Sequence, residues 1–236
     1  LDFFYKYILP TSIIEIIAAI VGTYYLVNKK VKGVDKWIVY YLWLVIIFES
    51  YGFMVGFAKH TEYEFFGFLE GTFFQNGNWA YNVFRVISSV LFITYFLNFI
   101  RSHRERILIQ IFTLGYIILA LVKYSDVETL QLRIEPIILI TSSLLVFMTI
   151  LLFFLNLLKS DKIIDLKRYF PFYVALGYLL FLITTTPIDI YINYYKIIIN
   201  EMYVILRASI YLFINLFLYS ILTLGFILCF RKKKSY

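Results

Sequence analysis

The chain has 236 residues and a formal net charge of +7; 62% of its residues are hydrophobic and 21% aromatic. An ordinary soluble domain is roughly 45–50% apolar, so this composition, with a mean hydropathy of +0.82, excludes one. The basic residues sit in short clusters between apolar blocks, a pattern that meets lipid headgroups and directs membrane orientation rather than binding nucleic acid. Cys229 is the sole cysteine, so no intrachain disulfide forms.

In chain order, apolar blocks fall at about 8–27, 37–58, 79–100, 106–123, 136–157, 169–190 and 203–230. Each supplies roughly the 17–25 residues that a hydrocarbon core about 30 Å thick requires, the last with some excess for tilt. An alternating barrel pattern is absent, so the spans are helices. The chain opens at Leu1, and the first block lacks a small-residue cleavage pattern; it reads as a span rather than a signal peptide. The sequence therefore predicts an all-α, single-domain, multi-pass bundle of seven transmembrane helices over 1–236.

Orientation follows from the loops. One side carries Lys29, Lys30, Lys32 and Lys36; Arg101, Arg104 and Arg106; Lys159, Lys162, Lys167 and Arg168; and Arg231, Lys232, Lys233 and Lys234. The other carries Lys6, Lys59, Lys123, Arg133 and Lys196 beside the acids Asp2, Glu62, Glu64, Glu70, Asp126, Glu128 and Glu201. The positive-inside rule then places the N-terminus outside and the C-terminus in the cytoplasm. Heavy use of Ile, Lys, Tyr, Phe and Asn suggests an AT-rich bacterial genome, and hence the bacterial inner membrane.

The longest outer connection, about 59–78, contains an apolar stretch, 65–74, interrupted by Gly67, Glu70 and Gly71. It is too short to span and is expected to lie at the interface, with Trp79 and Tyr81 as anchors. The inner loops are short and leave no room for a cytoplasmic catalytic domain.

Seven spans in this orientation divide into three, a linker span, and three. Pro10 answers Pro136, Asn82-Val-Phe-Arg85 answers Val204-Ile-Leu-Arg207, and Glu49 answers Asp189. Such a parallel 3+1+3 repeat is one transporter architecture; chance likeness between apolar helices is the alternative.

Charges inside a span cost at least about 2.5–3.5 kcal/mol each at the helix centre and so need partners or water. Glu15, Glu49, Arg85, Glu135, Asp189 and Arg207 all fall in the outer half, Glu15 and Arg85 roughly 10 Å below its boundary at about 1.5 Å per residue. With Asn82, they are candidates for an outward-facing polar pocket in which the arginines grip a carboxylate or phosphate. The competing reading pairs Glu15 or Glu49 with Arg85 or Arg207 only to hold helices in register. Thr184, Thr185, Thr186 and Asn193 add neutral hydrogen-bonding capacity. The inner half offers only polar residues such as Thr94, Asn98, Asn156, Ser220 and Thr223.

Enzymatic chemistry is hard to find. His60 and His103 lie on opposite sides and cannot share a metal, residues 203–230 contain no Schiff-base lysine for retinal, and neither a G-x-S-x-G elbow nor a phosphate-binding glycine loop occurs. The sequence thus leans away from an enzyme and implies no cofactor or metal.

The runs Ser12-Ile-Ile-Glu-Ile-Ile-Ala-Ala-Ile-Val-Gly22, Tyr41-Leu-Trp-Leu-Val-Ile-Ile-Phe-Glu-Ser50, Asn78-Trp-Ala-Tyr-Asn-Val-Phe84 and Asn215-Leu-Phe-Leu-Tyr-Ser220 with Gly225-Phe226 resemble a group of uncharacterised seven-span proteins of Bacteroidota-type bacteria. That resemblance covers most of the chain, implies no established activity and transfers no functional residue. A second, fainter resemblance is to three-plus-one-plus-three sugar carriers, from which the chain departs because Pro10 and Pro136 sit at the outer edge. The leading expectation is a sensor-like or accessory subunit that takes a small or lipid-like ligand on the outer side and a separate cytoplasmic or membrane protein partner. The alternatives are a small-solute transporter and a structural subunit of a larger membrane complex.

Overall fold

A computed structural model describes residues 4–28, 30–132, 134–190 and 201–230; the expectations attached to Asp2, Lys29, Arg133, Asn193, Lys196, the side chain of Glu201 and residues 231–234 lie outside that set. The long helices are α1 (Leu9–Val27), α2 (Lys36–His60), α3 (Asn78–Leu97) and α4 (His103–Tyr124), then α6 (Pro136–Leu158), α7 (Phe170–Ile190) and α8 (Glu201–Phe230). A short helix, α5 (Val127–Leu132), intervenes. Among the described residues there is no strand, and seven helices are long and apolar enough to cross a membrane. The protein is an all-α seven-helix membrane bundle.

The helix ends are written locally. Pro136 opens α6, where a missing N–H costs nothing, and Pro10 follows a π-helical turn, Phe4–Ile8, that leads directly into α1. Ser102 accepts from the Glu105 N–H at 3.4 Å to start α4. The third span begins one residue before and ends three before the expected 79–100; Asn98 caps its end, and the chain turns at residues 98–99. The fourth gains a turn at its start from that Ser102 cap.

Packing closes a ring: α1 on α2, α2 on α3, α3 on α6, α6 on α7, α7 on α8 and α8 back on α1, with α4 outside against α6 and α3. The pattern of neighbours is unchanged when the triplet α1–α2–α3 is exchanged with α6–α7–α8. Close approach of α7 and α8 depends on absent side chains. A Cβ on Gly177 would meet Ile221 at 2.7 Å and Leu218 at 3.0 Å, and one on Gly225 would meet Tyr173 at 2.9 Å. Small residues at such crossings let backbones approach where no hydrophobic effect drives association.

Aromatic rings fill the core: Phe92 stacks on Tyr178 at 3.6 Å between centroids and meets Tyr41 edge-on at 4.8 Å. At the end where α1 begins, which we term the N-terminal face, the 61–77 connection turns back on α2. Tyr63 N–H donates to the Ala58 carbonyl at 2.7 Å, and Leu69 is buried against Val55 and Ala58 while Phe65 and Phe68 stay exposed. At the opposite face, Asp35 accepts a 2.9 Å hydrogen bond from the fully buried Tyr95. A loop carboxylate thus folds in over the half of the bundle that the sequence left without charge.

Candidate functional site

Three of the six candidate charged residues converge. Asp189, one residue before the end of α7, is 6% exposed and accepts from the Nη2 atoms of Arg85 at 3.4 Å and Arg207 at 3.2 Å. The Tyr211 hydroxyl donates to the same carboxylate at 2.6 Å. The Arg207 guanidinium also stacks over the Tyr211 ring at 4.7 Å. Both arginines keep about a third of their side-chain surface exposed, at 29% and 35%. The cluster therefore joins α3, α7 and α8 at the N-terminal face with two positive charges against one negative.

Local sequence explains this convergence. Arg207, Tyr211, Asn215 and Tyr219 recur every four residues, so they share one stripe of α8. Pro187 interrupts α7 three residues from its end, and Tyr203 donates to the neighbouring Ile188 carbonyl at 2.7 Å. A proline here removes one ladder hydrogen bond and loosens the terminal turn that carries Asp189. The Arg207 Nε is buried without a hydrogen-bond partner among the described residues. A buried donor left so costs about 1–3 kcal/mol, which makes it the natural place for an incoming acceptor.

Glu15 and Glu49 do not join the arginines. Their carboxyls face one another across α1 and α2, with the Tyr219 hydroxyl of α8 beside Glu15. Neither half of the register pairing considered from sequence forms: the arginines share Asp189, and the glutamates meet each other. Tyr81 of α3 is near both groups, its hydroxyl so close over Gly52 that a Cβ there would stand 2.9 Å from it.

Asn82 takes another task. It is 1% exposed, and its Nδ2 donates to the Leu130 carbonyl at 2.9 Å, fastening α5 against α3. Glu135 pairs with Lys123 at 3.5 Å, linking α6 to α4 away from Asp189. Thr185 turns its hydroxyl to the Phe181 carbonyl of its own helix at 2.8 Å. Tyr211 and Tyr219 are contributors that the sequence reading missed. Their signal was the four-residue stripe with Arg207, hidden among 22 tyrosines.

The charged residues close on each other rather than lining either of two recesses in the bundle. One, of about 450 Å³, opens on the flank of the bundle and is lined by Trp37, Val86, Ile87, Val90, Leu91, Thr94 and Ile117. The other, of about 30 Å³, lies at the opposite face beside Arg101, Asn156, Ser160, Lys162 and Tyr169. There Asn156 ties α6 to the start of α4, accepting from the Arg101 N–H at 3.1 Å and donating to Glu105 at 3.4 Å.

No family model, no curated protein and no solved structure matches this chain.

Proposed function

We propose that the protein is a receptor-like or accessory subunit of the bacterial inner membrane that binds a small anion, a carboxylate or phosphate group, at the Arg85–Arg207 pair on the outer side. The observation that carries the reading is the charge imbalance at Asp189: two partly exposed guanidiniums share one carboxylate, and Arg207 Nε has no hydrogen-bond partner among the described residues. A bidentate anion supplies the missing acceptor. Its arrival competes with Asp189 for the same donors. The terminal turn of α7 beyond Pro187 then shifts relative to α8, and a ligand with different affinity for the two arrangements changes their populations. With the N-terminus outside, as the basic loops argue, the shift passes through the tightly packed α7–α8 pair to the basic inner face, where a separate partner protein docks.

The test is thermal stabilisation of purified protein by inorganic phosphate, short carboxylates and a phosphate monoester. Saturable stabilisation lost in Arg207→Gln supports the reading. A panel that stabilises wild type and Arg207→Gln equally, or neither, counts against it.

One observation favours a second reading, a small-solute transporter of 3+1+3 design. The ring of neighbours is unchanged by exchange of the two triplets, with α4 set outside as a linker would be. Liposomes carrying the protein that accumulate no tracer across a broad solute panel would remove it.

A further inference from the structure

We propose that Glu15 and Glu49 form an intramembrane proton-binding site, separate from the arginine cluster and independent of the anion reading. The two carboxyls come from different helices and face each other. Glu15 is 2% exposed, and its Oε1 is buried without a hydrogen-bond partner among the described residues. An acceptor in that position lacks a donor, and an added proton between the carboxyls supplies one.

The surroundings decide which cation fits. Tyr219 from α8 lies beside Glu15, and Tyr41 from α2 and Tyr81 from α3 are near enough to sense both carboxyls. Tyr219 and Tyr41 are buried at 3% and 5% exposure, so on that side the pair meets phenol hydroxyls and core aromatics rather than water. Arg207, a cation near Tyr81, is paired through Nη2 with Asp189 rather than with either glutamate. Glu15 is buried and Glu49 half-buried; two like charges at close quarters do not both persist there, and a shared proton is the usual resolution. A dehydrated metal ion is the competing occupant. It asks for about six or more oxygens, whereas helical backbone carbonyls are already bonded, leaving two carboxyls and a few phenols. The donor set suits a proton.

Tyr81 is 50% exposed, and its hydroxyl sits over Gly52, one helical turn beyond Glu49. On this proposal a proton would arrive at Glu49 past this phenol from the N-terminal face.

The experiment uses the full chain in lipid nanodiscs and dicyclohexylcarbodiimide, an apolar reagent that modifies protonated carboxylic acids. The acid O–H adds across a C=N bond, and the O-acylisourea rearranges to a stable N-acylurea that peptide mass mapping locates. The expected result is labelling at Glu15 or Glu49 several-fold above that of the loop carboxylates Glu62 and Glu64, declining as the pH is raised. Sodium, potassium or calcium at constant pH should leave it unchanged. An absence of label on both glutamates at every pH would overturn the proposal. So would suppression of the label by a metal ion at fixed pH, which would identify a metal site instead. Glu15→Gln and Glu49→Gln should each lower total incorporation, and wild-type mapping stands even where a variant fails to fold.

Discussion

Replacing Asp189 by asparagine is the sharpest perturbation of the bundle. The amide has the same size as the carboxylate, so no cavity opens; what changes is the charge at the point where α3, α7 and α8 meet. The substituted side chain keeps the Tyr211 bond, but both guanidiniums lose their counter-ion. In a soluble interior, removing one partner of a buried pair costs about 3–5 kcal/mol. Measured hydrogen bonds within membrane bundles average only about 0.6 kcal/mol, so the two from the guanidiniums amount to about 1 kcal/mol. Because the arginines are roughly one-third exposed and can rehydrate, the smaller figure applies. For a chain of this length, 1 kcal/mol moves the midpoint by about 2–4 °C, so Asp189→Asn should lower Tm by about 2–4 °C in detergent. Arg207→Gln alone should cost about 1 kcal/mol, and the double variant should be less destabilised than the sum. Strict additivity, or Asp189→Asn unfolding with wild type, would refute the claim that this carboxylate joins the helices through charge.

Other contacts carry their own expectations. Gly177→Ala inserts a methyl 2.7 Å from Ile221 and should destabilise by about 1–3 kcal/mol, whereas Gly56→Ala, with open space around it, should be neutral or slightly stabilising; thermal unfolding of both variants compares them. Asn82→Ala removes the donor to the Leu130 carbonyl, so limited proteolysis should cut the 125–135 segment sooner than in wild type, and unchanged kinetics would show that α5 is held otherwise. Tyr95→Phe strips Asp35 of its 2.9 Å donor and should cost about 1 kcal/mol by the same midpoint measurement. For orientation, Glu62→Cys in a Cys229→Ser background should react with an impermeant maleimide on intact cells, and Ser160→Cys only after lysis; the reverse pattern would invert the topology.

The site was only half legible in the chain. The cost of burying charge pointed to Glu15, Glu49, Arg85, Asp189 and Arg207 as residues needing company, yet composition does not say which helices are neighbours. The ring order places α8 between α7 and α1. Its stripe can therefore offer Arg207 and Tyr211 to Asp189 on one side and Tyr219 to Glu15 on the other. Asn82 and Glu135 looked equivalent to the others by depth, but each points at an end of the α5 region and serves as a fastening there.

What the sequence determined by itself was the number and placement of the spans. Hydrocarbon thickness dictates helix length, and a lipid core forbids unpaired backbone, so apolar blocks of the right length have one structural solution. Local grammar likewise set helix ends, as Ser102 and Pro136 show. Pairing among the buried charges was decided only by tertiary structure. Apolar helices carry little address information in lipid, and their neighbours are chosen by shape, through contacts such as Gly177 against Ile221 and Phe92 against Tyr178. That choice is what sends both arginines to a single aspartate and leaves two glutamates facing each other.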